Sequence, residues 1–116
     1  MSYSINQLTS LAKNNPKELS RILSTSNVNV QTLTDGVEIL GDEVKDEELV
    51  LPVLRKLLKH FNAVVREGAM IGVSSFFMSK KPPQDILDRL EIIFNNDPSP
   101  ACKTFAESLI DEFKKA

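Results

Sequence analysis

The chain has 116 residues, 41% hydrophobic and 26% charged, with a formal net charge of −2 and an isoelectric point near 5.4. That composition predicts one soluble domain with a core of its own, and its charge argues against a protein built mainly to neutralise phosphates, with a local basic patch left open. No apolar run of about 18 residues occurs and the start MSYSINQLTS is polar, so a spanning helix and a secretory leader are not expected and the cytoplasm is.

Ser4 and Gln7 form a capping-box pattern, with Tyr3 and Leu8 at staple spacing, so a helix is expected from about Ile5 to Ala12. Its apolar side is Ile5, Leu8, Leu11 and Ala12, and it reads as a terminal cap over residues 1–14. Asn15-Pro16-Lys17-Glu18 is a second start signal, a capping side chain followed by proline at the first helical position, and Leu19, Ile22 and Leu23 follow. A turn from Ser24 to Val28 leads to Asn29 as the next cap. Leu33, Gly36, Val37 and Leu40 then make the stripe of a helix that Gly41 is expected to end, closing a hairpin over 15–41.

The loop GDEVKD leads to a hairpin over 46–79. Its first helix, Glu48 to Lys59, carries Leu49, Val50, Val53, Leu54, Leu57 and Leu58, with Phe61 continuing the stripe. Pro52 is expected to bend this helix near its start, and Arg55, Lys56 and Lys59 gather toward its C-terminal end, where the helix dipole favours cations. Asn62 caps the second helix, whose stripe is Val65, Ala69, Gly72, Val73 and Phe76. Gly68, Ala69 and Gly72 leave out bulk in its middle, which predicts close approach by neighbouring helices, since each interior glycine costs about 1 kcal/mol against alanine. The prolines of Ser79-Lys80-Lys81-Pro82-Pro83 break the chain before a third hairpin over 82–116. There Ile86, Leu87, Leu90, Ile93 and Phe94 form one face, Asn96 to Pro100 the turn, and Ser99 caps a last helix reaching about Lys114.

Asn62, Val65, Arg66, Ala69, Gly72, Val73 and Phe76 are matched by Ser99, Cys102, Lys103, Ala106, Leu109, Ile110 and Phe113, each 37 positions later. An apolar helix precedes both, so the unit repeated is a helical hairpin of solenoid period. Leu51-Pro52, Leu57-Leu58 and Val65-Arg66 with Ala69 resemble a HEAT repeat, closely over residues 47–77 and less so over 83–113, where Cys102-Lys103 replace Val-Arg. The likeness is faint over 16–40, where Thr32-Leu33 and Gly36 fall at an offset of 33. The whole chain resembles the small stand-alone HEAT-repeat proteins of bacteria and phages. That resemblance implies an all-α fold, a short right-handed α-solenoid of about seven helices with a cap helix and three hairpins. It implies no particular function, because such motifs specify packing.

The supply of reactive groups is short. His60 is the one histidine and Cys102 the one cysteine, and no HExxH, CxxC, GxSxG or glycine-rich phosphate loop occurs, so neither an enzyme nor a cofactor or metal site is expected. His60 reads as a turn residue and Cys102, aligned with Val65, as a small core residue. Some HEAT-like proteins are enzymes, but the His-Glu pairs of the iron-dependent hydroxylases among them are absent here.

In HEAT-like proteins the second helices line the concave surface. The offsets of 37 and 33 place Thr34, Glu67 and Thr104 in one row, Val37, Met70 and Glu107 in a second, and Glu38, Ile71 and Ser108 in a third, with Ser74 and Asp111 a turn further on. The expected function is protein interaction through Glu67, Met70, Ile71, Ser74, Thr104, Glu107 and Asp111, on a mixed acidic and apolar groove that suits a segment carrying Lys or Arg and an apolar anchor. The alternative, that Met70 and Ile71 pack against adjacent repeats while the acids are merely solvated, stays open. Two further readings are a nucleic-acid-associated protein using Arg55, Lys56, Lys59, Lys80 and Lys81, and an accessory subunit of an enzyme such as a lyase. Self-association through the uncovered C-terminal edge is a further expectation.

Overall fold

The computed structural model describes residues 1–25 and 27–115. Among the described residues there are seven α-helices and no strand: α1 (Ile5–Asn14), α2 (Pro16–Ser24), α3 (Val30–Glu43), α4 (Glu47–Leu57), α5 (Ala63–Phe76), α6 (Gln84–Asn96) and α7 (Pro100–Lys115). The chain is all-α as expected. Ser26, within the expected turn between α2 and α3, lies outside the described residues.

The helix starts follow the capping side chains. Ser4 Oγ accepts the Gln7 N–H at 3.1 Å while Gln7 Oε1 accepts the Ser4 N–H at 2.8 Å, a complete capping box. Asn15 accepts from Glu18, Asn29 from Thr32, Asn62 from Val64 and Ser99 from Cys102. Each bond satisfies a first-turn donor that has no partner within its helix.

One expected helix end is displaced. Gly41 lies inside α3, which continues to Glu43, and no glycine of the chain takes a positive φ. The residue serves packing: a Cβ built on Gly41 would stand 2.5 Å from the Gly72 carbonyl oxygen on α5. Glycine there allows two helix backbones to meet.

The chain divides into two compact units, Met1–Phe76 and Phe77–Ala116. In the first, α1 packs on α2 and α3, α2 lies beside α4, and α3 lies along α5. Ser20 Oγ donates to the Leu49 carbonyl at 2.9 Å and Lys56 Nζ to the Ser24 carbonyl, so positions on α2 and α4 rise together and the helices run the same way. On the other layer a Cβ on Gly68 would meet Thr34 at 3.0 Å, and one on Gly72 would meet the Val37 carbonyl at 2.9 Å and Leu54 Cδ2 at 3.0 Å. Here too the positions rise together. The two hairpins, α2–α3 and α4–α5, therefore lie side by side, first helix by first helix and second by second. Gly68 and Gly72 give α5 the close neighbours that its small residues predicted, on α3 and α4.

Leu8, Leu19, Leu23, Leu40, Leu54 and Leu58 are fully or almost fully buried in this unit, each such burial contributing about 1.5–3 kcal/mol against an exposed side chain. The chain start is tied down as well. The Met1 ammonium donates to the Asn27 carbonyl at 2.9 Å, and the Tyr3 N–H donates to Oγ1 of the buried Thr32 at 3.0 Å. Ile5 departs from the expected apolar side of α1: it is exposed, at the first position of the helix and beyond the buried Leu8 and Ala12.

The second unit is the pair α6–α7. Its short connection, 97–99, makes the helices antiparallel neighbours. Ile86, Leu90 and Ile93 are buried on α6, and Cys102, Ala106, Leu109, Ile110 and Phe113 on α7. Cys102 is wholly buried, in the small-residue core role the alignment predicted.

Candidate functional site

On α3, Asp35, Glu38, Ile39 and Asp42 recur at helical spacing beside the buried stripe of Leu33, Val37 and Leu40. On α5, Glu67, Ile71 and Ser75 recur at steps of four beside the buried Ala69 and Val73. The glycine seam holds α3 and α5 at backbone contact, and this brings the two polar stripes onto one face of the first unit. There a hollow of about 360 Å³ is lined by Thr9 of α1, Glu38, Ile39, Asp42 and Glu43 of α3, and Ile71 and Ser75 of α5.

The face is electrostatically one-sided. Glu38 is half-buried, and its carboxyl is held above the usual carboxylate range by partial burial first, then by the charges of Asp35 and Glu67. Asp35 also accepts a hydrogen bond from Gln31 Nε2 at 3.0 Å. The α3 carboxylates Glu38, Asp42 and Glu43 thus border a hollow that Ile39 and Ile71 make partly apolar, with Glu67 of α5 near enough to act on Glu38.

The residues expected to bind a partner divide between the two units. Glu67, Ile71 and Ser74 are half-exposed on α5, and Ile71 and Glu38, expected in one row, line the same hollow. Met70 is wholly buried, as are Val37, its expected row neighbour, and most of Thr34, so these three residues belong to the interior and Met70 presents nothing to a partner. Thr104, Glu107 and Asp111 are exposed on α7 in the second unit, where Thr104 borders a shallow hollow with Pro100, Ala101, Phe105 and Ser108. Asp35, Asp42 and Glu43 were missing from the expected set. Their signal was present as the acidic recurrence 35, 38, 42 on one helix face, but which polar stripe would lie beside α5 depends on the packing.

The expected basic residues are likewise divided. Arg55, Lys56 and Lys59 are exposed at and just beyond the end of α4, whereas Lys80 and Lys81 belong to the second unit, with the Lys80 ammonium 5.8 Å from the Phe77 ring centre. After α4 ends at Leu57 the turn is locked by Arg66, whose guanidinium Nη1 donates to the carbonyls of His60 at 2.9 Å and Phe61 at 3.1 Å. This is a structural task for the Arg of the Val-Arg-x-x-Ala pattern. His60 Nδ1 accepts the Asn62 N–H at 3.1 Å, as a locally bonded turn residue would. Partial burial, with the charges of Arg66 and Lys56, pushes the imidazole below its ordinary pKa.

Phe61 is the clearest departure from the sequence pattern. It is 87% exposed, because α4 ends four residues before it and the helical period no longer governs its direction. Its ring stacks on that of His60, with centroids 4.4 Å apart.

No helix is long and apolar enough to cross a membrane among the described residues. Comparison of the chain with protein-family models, with curated proteins and with solved structures finds no match.

Proposed function

We propose that the chain is a short, right-handed HEAT-like α-solenoid that works in the cytoplasm as a non-enzymatic protein-interaction module. The face of α3 and α5 would take a basic segment of a partner protein carrying an apolar anchor. The solenoid reading is supported by the like-directed pairing of α2 with α4 and α3 with α5 in the first unit, together with the 37-residue recurrence that links α5 and α7 in sequence. The observation that carries the functional reading is the hollow in which Glu38 and Asp42 stand beside Ile39 and Ile71, with Asp35 and Glu67 adding negative charge. A cation entering there meets several carboxylates, while the aliphatic groups offer its neighbour a place to leave water. A half-buried carboxylate among like charges opposes folding, which is common where a surface is shaped for binding.

The test is affinity purification from the protein's own cell lysate, with nuclease added to one half and a Glu38→Lys/Glu67→Lys variant in parallel. A protein partner that withstands nuclease and is lost from the variant is the expected result. Retention of the same partner by a folded variant overturns the assignment of this face.

A further inference from the structure

A second groove in the first unit has the opposite character. It lies where the α2–α3 and α4–α5 turns come together, has a volume of about 740 Å³, and is walled by the aliphatic side chains of Leu23, Val28, Val30, Leu33 and Leu57. Lys56, Lys59, His60 and Phe61 complete its basic and aromatic border, and Thr25 and Asn29 its polar part. Among the described residues no carboxylate lines it, although acidic residues outnumber basic ones in the chain. Lys59 forms no ion pair among the described residues. Phe61, held out by the Arg66-locked turn and backed by the His60 ring, places a nearly fully exposed aromatic face at the groove's border.

Single exposed apolar side chains are ordinary on protein surfaces. Here the exposed ring is continuous with an aliphatic groove and flanked by ammonium groups without acidic counterparts, a combination that defines a complementary occupant. We propose that this groove docks an acidic segment of a partner protein, one aromatic or aliphatic side chain entering between Phe61 and the aliphatic wall while a neighbouring carboxylate pairs with Lys59. The site is distinct from the acidic face of α3 and α5, and its occupant carries the opposite charge. A protein segment fits better than a nucleic acid, because the walls are mostly aliphatic and Lys56 already donates to the Ser24 carbonyl, which leaves few cations for a row of phosphates.

The experiment pans a phage-displayed random-peptide library against the Glu38→Gln/Glu67→Gln variant, so that the acidic face loses two of its charges without becoming a basic site. Enriched peptides are then measured by fluorescence anisotropy on the otherwise unchanged chain, on Lys59→Glu and on Phe61→Ser, with folding of each variant checked by circular dichroism. Both substituted side chains are exposed, so the fold should survive. The expected peptides share an acidic residue beside an aromatic or aliphatic one and bind at least tenfold more weakly to either variant. Failure to enrich any such motif overturns the proposal, as does equal binding to Phe61→Ser and the parent. Tighter binding of a twelve-nucleotide oligothymidylate than of the best peptide overturns it in favour of nucleic acid. None of these results bears on the α3–α5 face, which the lysate experiment tests separately.

Discussion

Gly41 of α3 and Gly72 of α5 meet backbone against backbone. A Cβ on Gly41 would lie 2.5 Å from the Gly72 carbonyl oxygen and 2.7 Å from its Cα. Neither atom can turn aside as a side chain could. This contact holds the two hairpins of the first unit together and brings the α3 carboxylates near Glu67 of α5.

Gly41→Ala should therefore destabilise the protein by about 1–3 kcal/mol, the usual cost of overpacking, despite the roughly 1 kcal/mol that alanine gains as a helix former. Gly36→Ala is the contrasting variant. Its Cβ would also meet an atom at 2.5 Å, but that atom is Leu23 Cδ2, the end of a flexible side chain. Urea denaturation should show a large loss for Gly41→Ala and a clearly smaller one for Gly36→Ala. Equal losses would mean that the α3–α5 approach is not the constraint.

Arg66 is nearly buried, and its guanidinium holds two carbonyls of the α4–α5 turn. Arg66→Met keeps the apolar stem and removes the donors, leaving the carbonyls without these bonds. A loss of about 1.5–3 kcal/mol is expected, the range for hydrogen bonds to charged groups. Arg66→Lys should recover only part of it, because one ammonium cannot reproduce the planar fork. Thermal unfolding of the two variants measures the difference.

Glu38 sets a pH dependence of definite sign. Its folded pKa is raised by burial and by Asp35 and Glu67, so its charge opposes folding above that pKa. The penalty is relieved as pH falls through the raised value toward the ordinary carboxylate range. Glu38→Gln should be more stable than the parent at pH 7, by about 0.2–0.5 kcal/mol for each like-charge neighbour removed, and the advantage should shrink as the pH is lowered to about 4. Denaturation midpoints across that range test it.

His60 works in the other direction. Its folded pKa is lowered, chiefly by burial and then by Arg66 and Lys56. Protonating Nδ1 would also end its acceptance of the Asn62 N–H. The neutral form is favoured on folding, so this contribution is lost as pH falls from the ordinary 6.5 through the folded value. As the chain has one histidine, an NMR titration of its imidazole is unambiguous. A midpoint below 6.5 in the folded protein is expected, returning toward 6.5 in urea; a midpoint above 6.5 would contradict the geometry of the turn.

By itself the sequence determined what depends on neighbours along the chain. Ser4, Asn15, Asn29, Asn62 and Ser99 marked five of the helix starts, because a capping bond spans only two or three residues. The 3.6-residue recurrence of apolar side chains marked most of the core, including Cys102. It failed where that period stopped applying, at Phe61 beyond the end of α4, and at Ile5, whose position in the first turn left it exposed. The tertiary structure decided whatever depends on which helix lies beside which. Gly41 in isolation reads as a helix end and becomes a packing residue only with Gly72 against it. Met70 reads as part of a surface row, but it is wholly buried. The acidic face and the Phe61 groove each draw side chains from elements well separated along the chain. Local patterns hold no register between such elements, because that register comes from how closely the backbones can approach.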